Sequence, residues 1–194
     1  DVEKRIENLV SGKITNLAKP DELGKAFRLE SASGRYIEFV KNTLPSSVRL
    51  DGLKIVIDCA HGAAYHVAPK VFWELGAEVV IMGDKPDGFN INAKVGAVAS
   101  EAMCQAVLEH GADIGIALDG DADRLVLSDE KGKIVDGDQI MALIATAWQK
   151  NGQLRGGQVV GTVMSNLGLE NYLYKQGLKL VRTNVGDRHV GDYM

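Results

Sequence analysis

Cysteine is scarce in this sequence, and long apolar runs are absent. Cys59 and Cys104 are the only cysteines, and both stand in apolar segments, which favours buried thiols of a cytoplasmic protein over a disulfide framework. Without a run of about 18 apolar residues, no transmembrane helix is expected. The opening residues, DVEKRIE, lack the apolar core of a signal peptide. They also lack an initiator methionine, so we expect a piece of a longer protein.

Blocks of basic residues are missing as well. The formal net charge is −4, from 22 lysines and arginines against 26 aspartates and glutamates. Proteins that bind nucleic acid usually carry a clustered basic face, so no nucleic-acid partner is predicted. An anionic small molecule is still compatible with this charge, because a few well-placed arginines suffice to bind a phosphate.

The residues that are present describe a globular α/β protein. With 194 residues, 45% of them hydrophobic, the chain is long enough for one to two domains. An amphipathic helix is predicted over residues 1–10, a polar linker over 13–30 and a second helix over 31–41. From residue 53, strands and helices alternate up to a closing hairpin at 125–135, which predicts parallel strands joined by right-handed crossovers and one antiparallel strand.

A second α/β unit begins after this hairpin. Asp138 can cap a helix over 138–150, and a strand at 158–163, a helix at 167–176 and a strand at 178–182 follow. The predicted fold class is therefore α/β, with tandem units that each hold a mixed, mostly parallel sheet between helices. The second of these units is expected to be truncated.

Three aspartates follow the third predicted strand at alternate positions: Asp119, Asp121 and Asp123, separated by Gly120 and Ala122. Strand ends of this kind are where open α/β sheets place their ligands. Three converging carboxylates repel one another unless a cation is present, and hard oxygen ligands select Mg²⁺ or Ca²⁺ over zinc. The adjacent Arg124 suits bidentate binding of a phosphate.

Three other interpretations of this segment are weaker. A solvated Asp-Gly turn rarely carries three aspartates between two apolar strands. An EF-hand would place the aspartates at positions 1, 3 and 5 and Glu130 at position 12, but it needs glycine where Arg124 stands and helices on both sides. A glycosyltransferase-type acidic motif usually has fewer acids and accompanies a nucleotide site, for which we find no signature.

The segment DGDADR, residues 119–124, resembles the metal-binding loop of the α-D-phosphohexomutase superfamily. Further segments are similar to the bacterial phosphoglucosamine mutase branch of that family, so that the resemblance covers essentially the whole chain. These segments are residues 34–39, 58–65, 90–92, 136–141, 164–168 and 185–188.

This resemblance implies an enzyme with four domains that interconverts glucosamine 6-phosphate and glucosamine 1-phosphate through a phosphoserine and a bisphosphorylated sugar. Asp119, Asp121 and Asp123 would bind Mg²⁺, and Arg124 would contact the phosphate. By the same resemblance, Asp187 and Arg188 face the substrate, although an ordinary helix start explains them equally well.

The family's serine loop, sugar loop and phosphate-binding loop are absent from this sequence. The resemblance therefore assigns 1–27 to the tail of domain 1 and a linker, 28–135 to domain 2 with the magnesium loop, and 136–194 to the start of domain 3. The expected partners are a phosphorylated amino sugar and the missing domains of the parent chain, and this piece alone is expected to be inactive. A phosphomannomutase or phosphoglucomutase, and a non-catalytic module that binds a divalent ion, remain alternatives.

Overall fold

The computed structural model describes residues 2–13 and 17–194 and divides the chain into two compact units, with the division after Ala32. The first unit holds helix α1 (Val2–Ser11) and a short 3-10 turn (Pro20–Glu22). The amphipathic helix predicted over 1–10 is confirmed over 2–10, but none of its residues is buried. Residue 1 and residues 14–16 of the predicted linker lie outside the described residues. Within the described ranges, no helix combines the length and apolar character needed to cross a membrane.

The second unit is built around a five-stranded sheet. Its order is β2-β1-β3-β4-β5, with β1 parallel to both neighbours and β4 antiparallel to β3 and β5. This mixed, mostly parallel topology is the one predicted from the alternation of strands and helices. The strands are β1 (Lys54–Asp58), β2 (Glu78–Met82), β3 (Ile114–Leu118), β4 (Leu125–Ser128) and β5 (Ile134–Val135).

Helices cover both faces of this sheet. They are α3 (Ala68–Glu74) and α4 (Glu101–His110), and α2 (Ala32–Lys41) packs outside α3. On one face, Met103 and Val107 of α4 pack against Val56 in a cluster of buried residues. On the other face, Ile57 lies in a cluster that Phe72 of α3 covers. Because β1 contributes to both clusters, it is apolar at successive positions, as expected for a central strand of a parallel sheet.

Helix α2 packs onto α3. Ile37 of α2 forms a cluster with Val71 and Leu75. At the edge of this contact, Lys41 Nζ lies 2.5 Å from Glu74 Oε2 and 2.6 Å from Glu38 Oε1. The contact fixes α2 on the outer surface of α3.

A two-stranded parallel sheet follows, built from β6 (Gln158–Thr162) and β7 (Lys179–Thr183). The helices around it are α5 (Gly137–Lys150), α6 (Leu167–Lys175) and α7 (Asp187–Tyr193). Leu169, Leu173 and Leu180 form its core with Ala145 of α5. The elements predicted for residues 138–182 are therefore confirmed to within one or two residues at each end.

The cap predicted for α5 is wrong. Asp136, not Asp138, caps this helix: its side chain accepts a hydrogen bond from Asp138 N at 2.7 Å, and Gln139 Oε1 accepts one from Asp136 N at 2.8 Å. This reciprocal pair is a capping box. The Asp138 carboxylate instead accepts a hydrogen bond from Asn166 N at 2.8 Å, so it links the starts of α5 and α6.

Two further details concern α3 and α4. A 3-10 turn (Ala63–Tyr65) precedes α3, in which Pro69 occupies the first turn, a position that proline favours. On α4, Met103 and Val107 are buried, whereas Leu108 is 54% exposed.

Candidate metal centre

The aspartate loop lies at the point where the sheet changes direction. The chain runs from β1 outward to β2 and then returns to the other side of β1 as β3. Ligands of open α/β sheets bind at such switch points, beyond the carboxyl ends of the strands. Asp58 is the last residue of β1, and Asp119 directly follows β3. Both acids therefore lie at the carboxyl ends of neighbouring strands, where a ligand is expected.

The loop is a tight connection between two antiparallel strands. Leu118 and Leu125 are paired across β3 and β4, so residues 119–124 must reverse the chain within a short span. Asp119 N donates to Arg124 O at 3.2 Å, and Ala122 N donates to Asp119 O at 3.1 Å. Ala122 takes a left-handed conformation with φ +61°. This turn allows alternate side chains to converge on the same side.

The three predicted ligands do come together. Asp119, Asp121 and Asp123 each offer a carboxylate oxygen, and these oxygens all lie within 4.8 Å of one another. Asp119 is only 5% exposed, whereas the other two are exposed. Three carboxylates at this spacing fit a hard divalent cation such as Mg²⁺, which accepts carboxylate and water oxygens and usually keeps several waters. In the described part of the chain, this is the one cluster of acidic, histidine or cysteine side chains suited to a metal.

Arg124 shapes the charge of this cluster. Its backbone N donates to Asp119 Oδ1 at 3.1 Å, and its Nε donates to Asp119 Oδ2 at 3.1 Å and to Asp123 Oδ1 at 3.4 Å. The backbone hydrogen bond from Arg124 is the main cause of a lowered pKa at Asp119. The pKa of Asp123 is raised, chiefly by the neighbouring Asp119 carboxyl. Of these two carboxyls, Asp119 is therefore the one whose ionised form is favoured by its surroundings.

Arg124 keeps most of its side chain in solvent, with 81% of it exposed. Its contacts with the aspartates use the backbone N and Nε. The guanidinium thus has donors that can reach an anion while Nε holds Asp119.

Two neighbouring loops pack against the aspartate loop, namely the turn after β1 and the loop after β2. Ala63 N donates to Gly120 O at 2.8 Å. A Cβ on Gly62 would lie 2.7 Å from the Gly120 carbonyl carbon, and a Cβ on Gly120 would lie 2.9 Å from Asn92 Nδ2. Gly62 is therefore required by the close approach of the Gly120 backbone, whereas a side chain at Gly120 would collide with the side chains of Ile91 and Asn92.

Two residues next to the aspartate loop were not among the predicted site residues. Asp58 is completely buried, and Asn92 has a buried Oδ1 with no hydrogen-bond partner among the described residues. The sequence signal for Asp58 is its position at the end of an apolar strand, because a carboxylate in such a place is seldom buried unless it is paired. Asn92 has φ +57°. The only sequence signal for this backbone conformation is its position in a loop rich in asparagine.

Asp187 and Arg188 open α7 after the last strand. Both are exposed, and Asp187 is the first helical residue, whereas Gly186 occupies the cap position. Arg188 Nε lies 3.7 Å from Asp192 Oδ2, one turn further along the same helix. Within the described ranges, the structure joins neither side chain to the aspartate cluster by a hydrogen bond or ion pair. Their predicted contact with substrate stays a prediction.

The fold and the acidic loop together define an α/β protein with a site suited to a divalent cation at the sheet's switch point. Two family models match the chain. "Phosphoglucomutase/phosphomannomutase, alpha/beta/alpha domain II" matches residues 34–132, and domain III of the same family matches residues 136–194. The chain belongs to the phosphoglucomutase/phosphomannomutase family, which confirms the family predicted from the DGDADR segment.

Curated relatives show to which members of the family the chain is similar. The phosphoglucosamine mutase of Granulibacter bethesdensis is 61% identical over 193 residues, covering 99% of this chain and 42% of that protein. The phosphoglucosamine mutase of Rhodospirillum centenum is 62% identical over 195 residues, covering 100% of this chain and 41% of that protein. The predicted resemblance to phosphoglucosamine mutases is therefore confirmed. The chain spans about two fifths of the length of these relatives.

Solved structures share the fold. A phosphoglucomutase/phosphomannomutase family protein from Burkholderia thailandensis superposes with a TM-score of 0.68 at 23% identity, covering 83% of this chain and 35% of that one. The apo form of an N-acetylglucosamine-phosphate mutase, a member of the α-D-phosphohexomutase superfamily, gives a TM-score of 0.58 at 18% identity, covering 84% and 38%. At these identities the likeness establishes the fold alone.

Proposed function

We propose that this chain is the magnesium-binding part of a phosphoglucosamine mutase, which interconverts glucosamine 6-phosphate and glucosamine 1-phosphate. The observation that carries the proposal is the convergence of three aspartate oxygens within 4.8 Å of one another at the end of β3. The phosphoglucosamine mutases that are about 60% identical over essentially the whole chain support the choice of sugar.

In this proposal, Asp119, Asp121 and Asp123 hold Mg²⁺. When bound, Mg²⁺ supplies Lewis-acid stabilisation of the charge on a transferring phosphoryl group. The chain's own residues prepare for this: the hydrogen bonds from Arg124 keep Asp119 ionised and fixed in direction. The exposed Arg124 guanidinium provides a phosphate contact.

The phosphoryl donor is proposed to be a serine outside this chain. A phosphoserine would give its phosphoryl group to one hydroxyl of the sugar phosphate, forming the bisphosphorylated sugar and free serine. The serine oxygen would then recover a phosphoryl group from the other position. The full reaction therefore needs the remaining domains, and we expect residues 1–194 alone to be inactive as a mutase.

The proposed domain division is the one predicted from the sequence, and the family models that match residues 34–132 and 136–194 support it. Residues 1–27 form the tail of domain 1 and a linker, 28–135 form domain 2 with the metal loop, and 136–194 form the start of domain 3. Asp187 and Arg188, at the first turn of α7, are proposed to contact the sugar phosphate. Their exposure is consistent with this role.

The proposed setting is the bacterial cytoplasm, where the product would supply the cell-wall precursor UDP-N-acetylglucosamine. Both cysteines are free thiols in the structure, which agrees with a reducing compartment. A phosphomannomutase or phosphoglucomutase is the second candidate, because the matching family models carry both names.

The test is the turnover of the full-length protein with glucosamine, mannose and glucose phosphates, with and without Asp121→Asn. We expect preference for glucosamine phosphate and loss of turnover in the variant. Asp113→Asn is a matched control, because Asp113 lies at the opposite end of β3 and accepts a hydrogen bond from Lys54 N at 2.8 Å. Full activity in Asp121→Asn would refute the metal role. A preference for mannose or glucose phosphate would select the second candidate, and no mutase activity at all would favour a non-catalytic ion-binding module.

A further inference from the structure

Asp58 is the most deeply buried acid near the metal loop, and the proposed mechanism gives it no task. Its side chain is 0% exposed at the carboxyl end of β1. A buried carboxylate is costly unless hydrogen bonds compensate for the lost water. Here both oxygens are used, because Oδ1 accepts from Ala60 N at 2.9 Å and Oδ2 accepts from Gly96 N at 2.7 Å.

These two hydrogen bonds join two different loops. Ala60 belongs to the turn that follows β1, and Gly96 ends the long loop that follows β2. Ala60 O also accepts from Asn92 N at 2.8 Å, which ties the same loops a second time. Asp58 is therefore the acceptor at the centre of the junction.

One of these loops contacts the aspartate loop, and the other contacts the residue that precedes it. The turn after β1 continues to Ala63, whose N donates to Gly120 O at 2.8 Å. Gly96 lies against the residue before the metal loop, because a Cβ at Gly96 would stand 2.8 Å from Leu118 O. The contacts bracket the metal loop at its first residues, on either side of Asp119.

We infer that Asp58 is a positioning residue that holds Asp119 and Asp121 in the geometry needed for the cation, acting through the Ala60–Ala63 turn and Gly96. This inference rests on the proposed metal-binding function. The supporting backbone around Asp58 is left-handed at Ala60, His61 and Gly96, with φ of +54°, +49° and +84°. Such conformations persist where the surroundings hold them in place.

Asparagine is the sharpest substitution at this position. Asn has the shape of Asp, but it presents one oxygen acceptor and one NH₂ donor. One of the two backbone N–H groups would keep its acceptor, and the other would face a donor. The change therefore breaks one link between the loops without removing side-chain volume.

The experiment measures Mn²⁺ binding to the full-length protein by the electron paramagnetic resonance signal of the free ion. We expect Asp58→Asn to raise the Kd for Mn²⁺ by about 10- to 100-fold, the range typical of residues that orient metal ligands. The Mg²⁺ concentration for half-maximal turnover should rise in parallel, and kcat should recover at saturating Mg²⁺. Asp113→Asn, the same substitution on a side chain that also accepts a backbone N–H, should leave the Kd unchanged.

A purely structural role predicts a different result, namely a lower melting temperature in Asp58→Asn with the wild-type Kd, and this would overturn the inference. If Asp58→Asn does not fold, Gly62→Ala tests the same connection, because its Cβ would press on the Gly120 backbone. Wild-type Mn²⁺ affinity in folded Gly62→Ala would then overturn it. The proposed function has its own control: if Asp121→Asn binds Mn²⁺ as tightly as wild type, the metal site and the inference both fail. If only Asp121→Asn loses affinity, the inference alone fails.

Discussion

Arg124 holds Asp119 twice, through its backbone N to Oδ1 and through Nε to Oδ2, both at 3.1 Å. The backbone contact depends only on the turn, whereas the Nε contact depends on the guanidinium. Substitution of the arginine side chain therefore separates its electrostatic effect from the shape of the loop.

Arg124→Ala is predicted to lower turnover without weakening metal binding. Removing a positive charge beside three carboxylates should leave Mn²⁺ affinity equal to that of wild type or higher. Turnover by the full-length protein should fall at least tenfold, because a charged phosphate contact is lost. Mn²⁺ titration and kcat/KM measured on the same preparation check this. Parallel loss of affinity and turnover would show that the guanidinium is needed to build the metal site itself.

The cysteines should differ in reactivity because of their burial. Burial, reinforced by the nearby charges of Asp58 and Asp84, raises the pKa of Cys59 to about 12. The pKa of Cys104 is also raised, mainly by burial, but its side chain is partly exposed. Since the thiolate is the reactive form, we predict that a thiol reagent at pH 8 modifies Cys104 first and Cys59 only after unfolding.

The pH dependence of this reaction has a definite sign. Between pH 7 and 9 the rate at Cys104 should rise with its thiolate fraction, while Cys59 in the folded protein stays unreactive. The folded state holds the Cys59 proton more tightly than the unfolded state. The stability that this thiol contributes is therefore complete below its pKa in the unfolded chain. That stability is lost as pH rises from there through the folded-state pKa of about 12. Cys104→Ser leaves Cys59 as the sole thiol, so rapid labelling of that native variant would contradict the prediction.

The core beneath α4 gives a stability prediction. Met103 is fully buried, and Ser128 Oγ donates to its sulfur at 3.2 Å. Met103→Ala should lower the free energy of unfolding by about 2–5 kcal/mol, as for other buried large-to-small changes. Leu108→Ala on the same helix should cost less than about 1 kcal/mol, because that side chain is largely exposed. Urea denaturation of both variants measures the difference, and equal losses would place Leu108 in the core after all.

The elements that sequence predicted well are those specified by local patterns. The alternation of strands and helices after residue 53 was predicted correctly because each element has a local signal: β2, for example, is a short apolar run that follows Gly76, whose φ is +105°. The three aspartates were found for the same reason, since their spacing and their place after a strand are both local. Their convergence then followed from the turn between β3 and β4.

The interactions that sequence did not predict depend on distant parts of the chain. Asp58 and Gly96 are 38 residues apart, and no local pattern pairs them. The cap of α5 was misplaced by two residues because Asp136 and Asp138 are chemically equivalent as caps. Only the structure shows that the Asp138 carboxylate accepts a hydrogen bond from Asn166 N.

Arg188 provides the test of the proposed substrate contact in the second α/β region. Its Nε is 3.7 Å from Asp192, and its side chain is 84% exposed, so the ion pair contributes little to stability. In the full-length protein, Arg188→Ala should raise the KM for the sugar phosphate about tenfold or more, as expected for loss of a charged phosphate contact, while the Kd for Mn²⁺ stays unchanged. Asp192→Ala is the matched control, because it removes the same ion pair but keeps the guanidinium. A KM unchanged in Arg188→Ala, or raised equally by Asp192→Ala, would leave Arg188 as an ordinary residue of the first turn of α7.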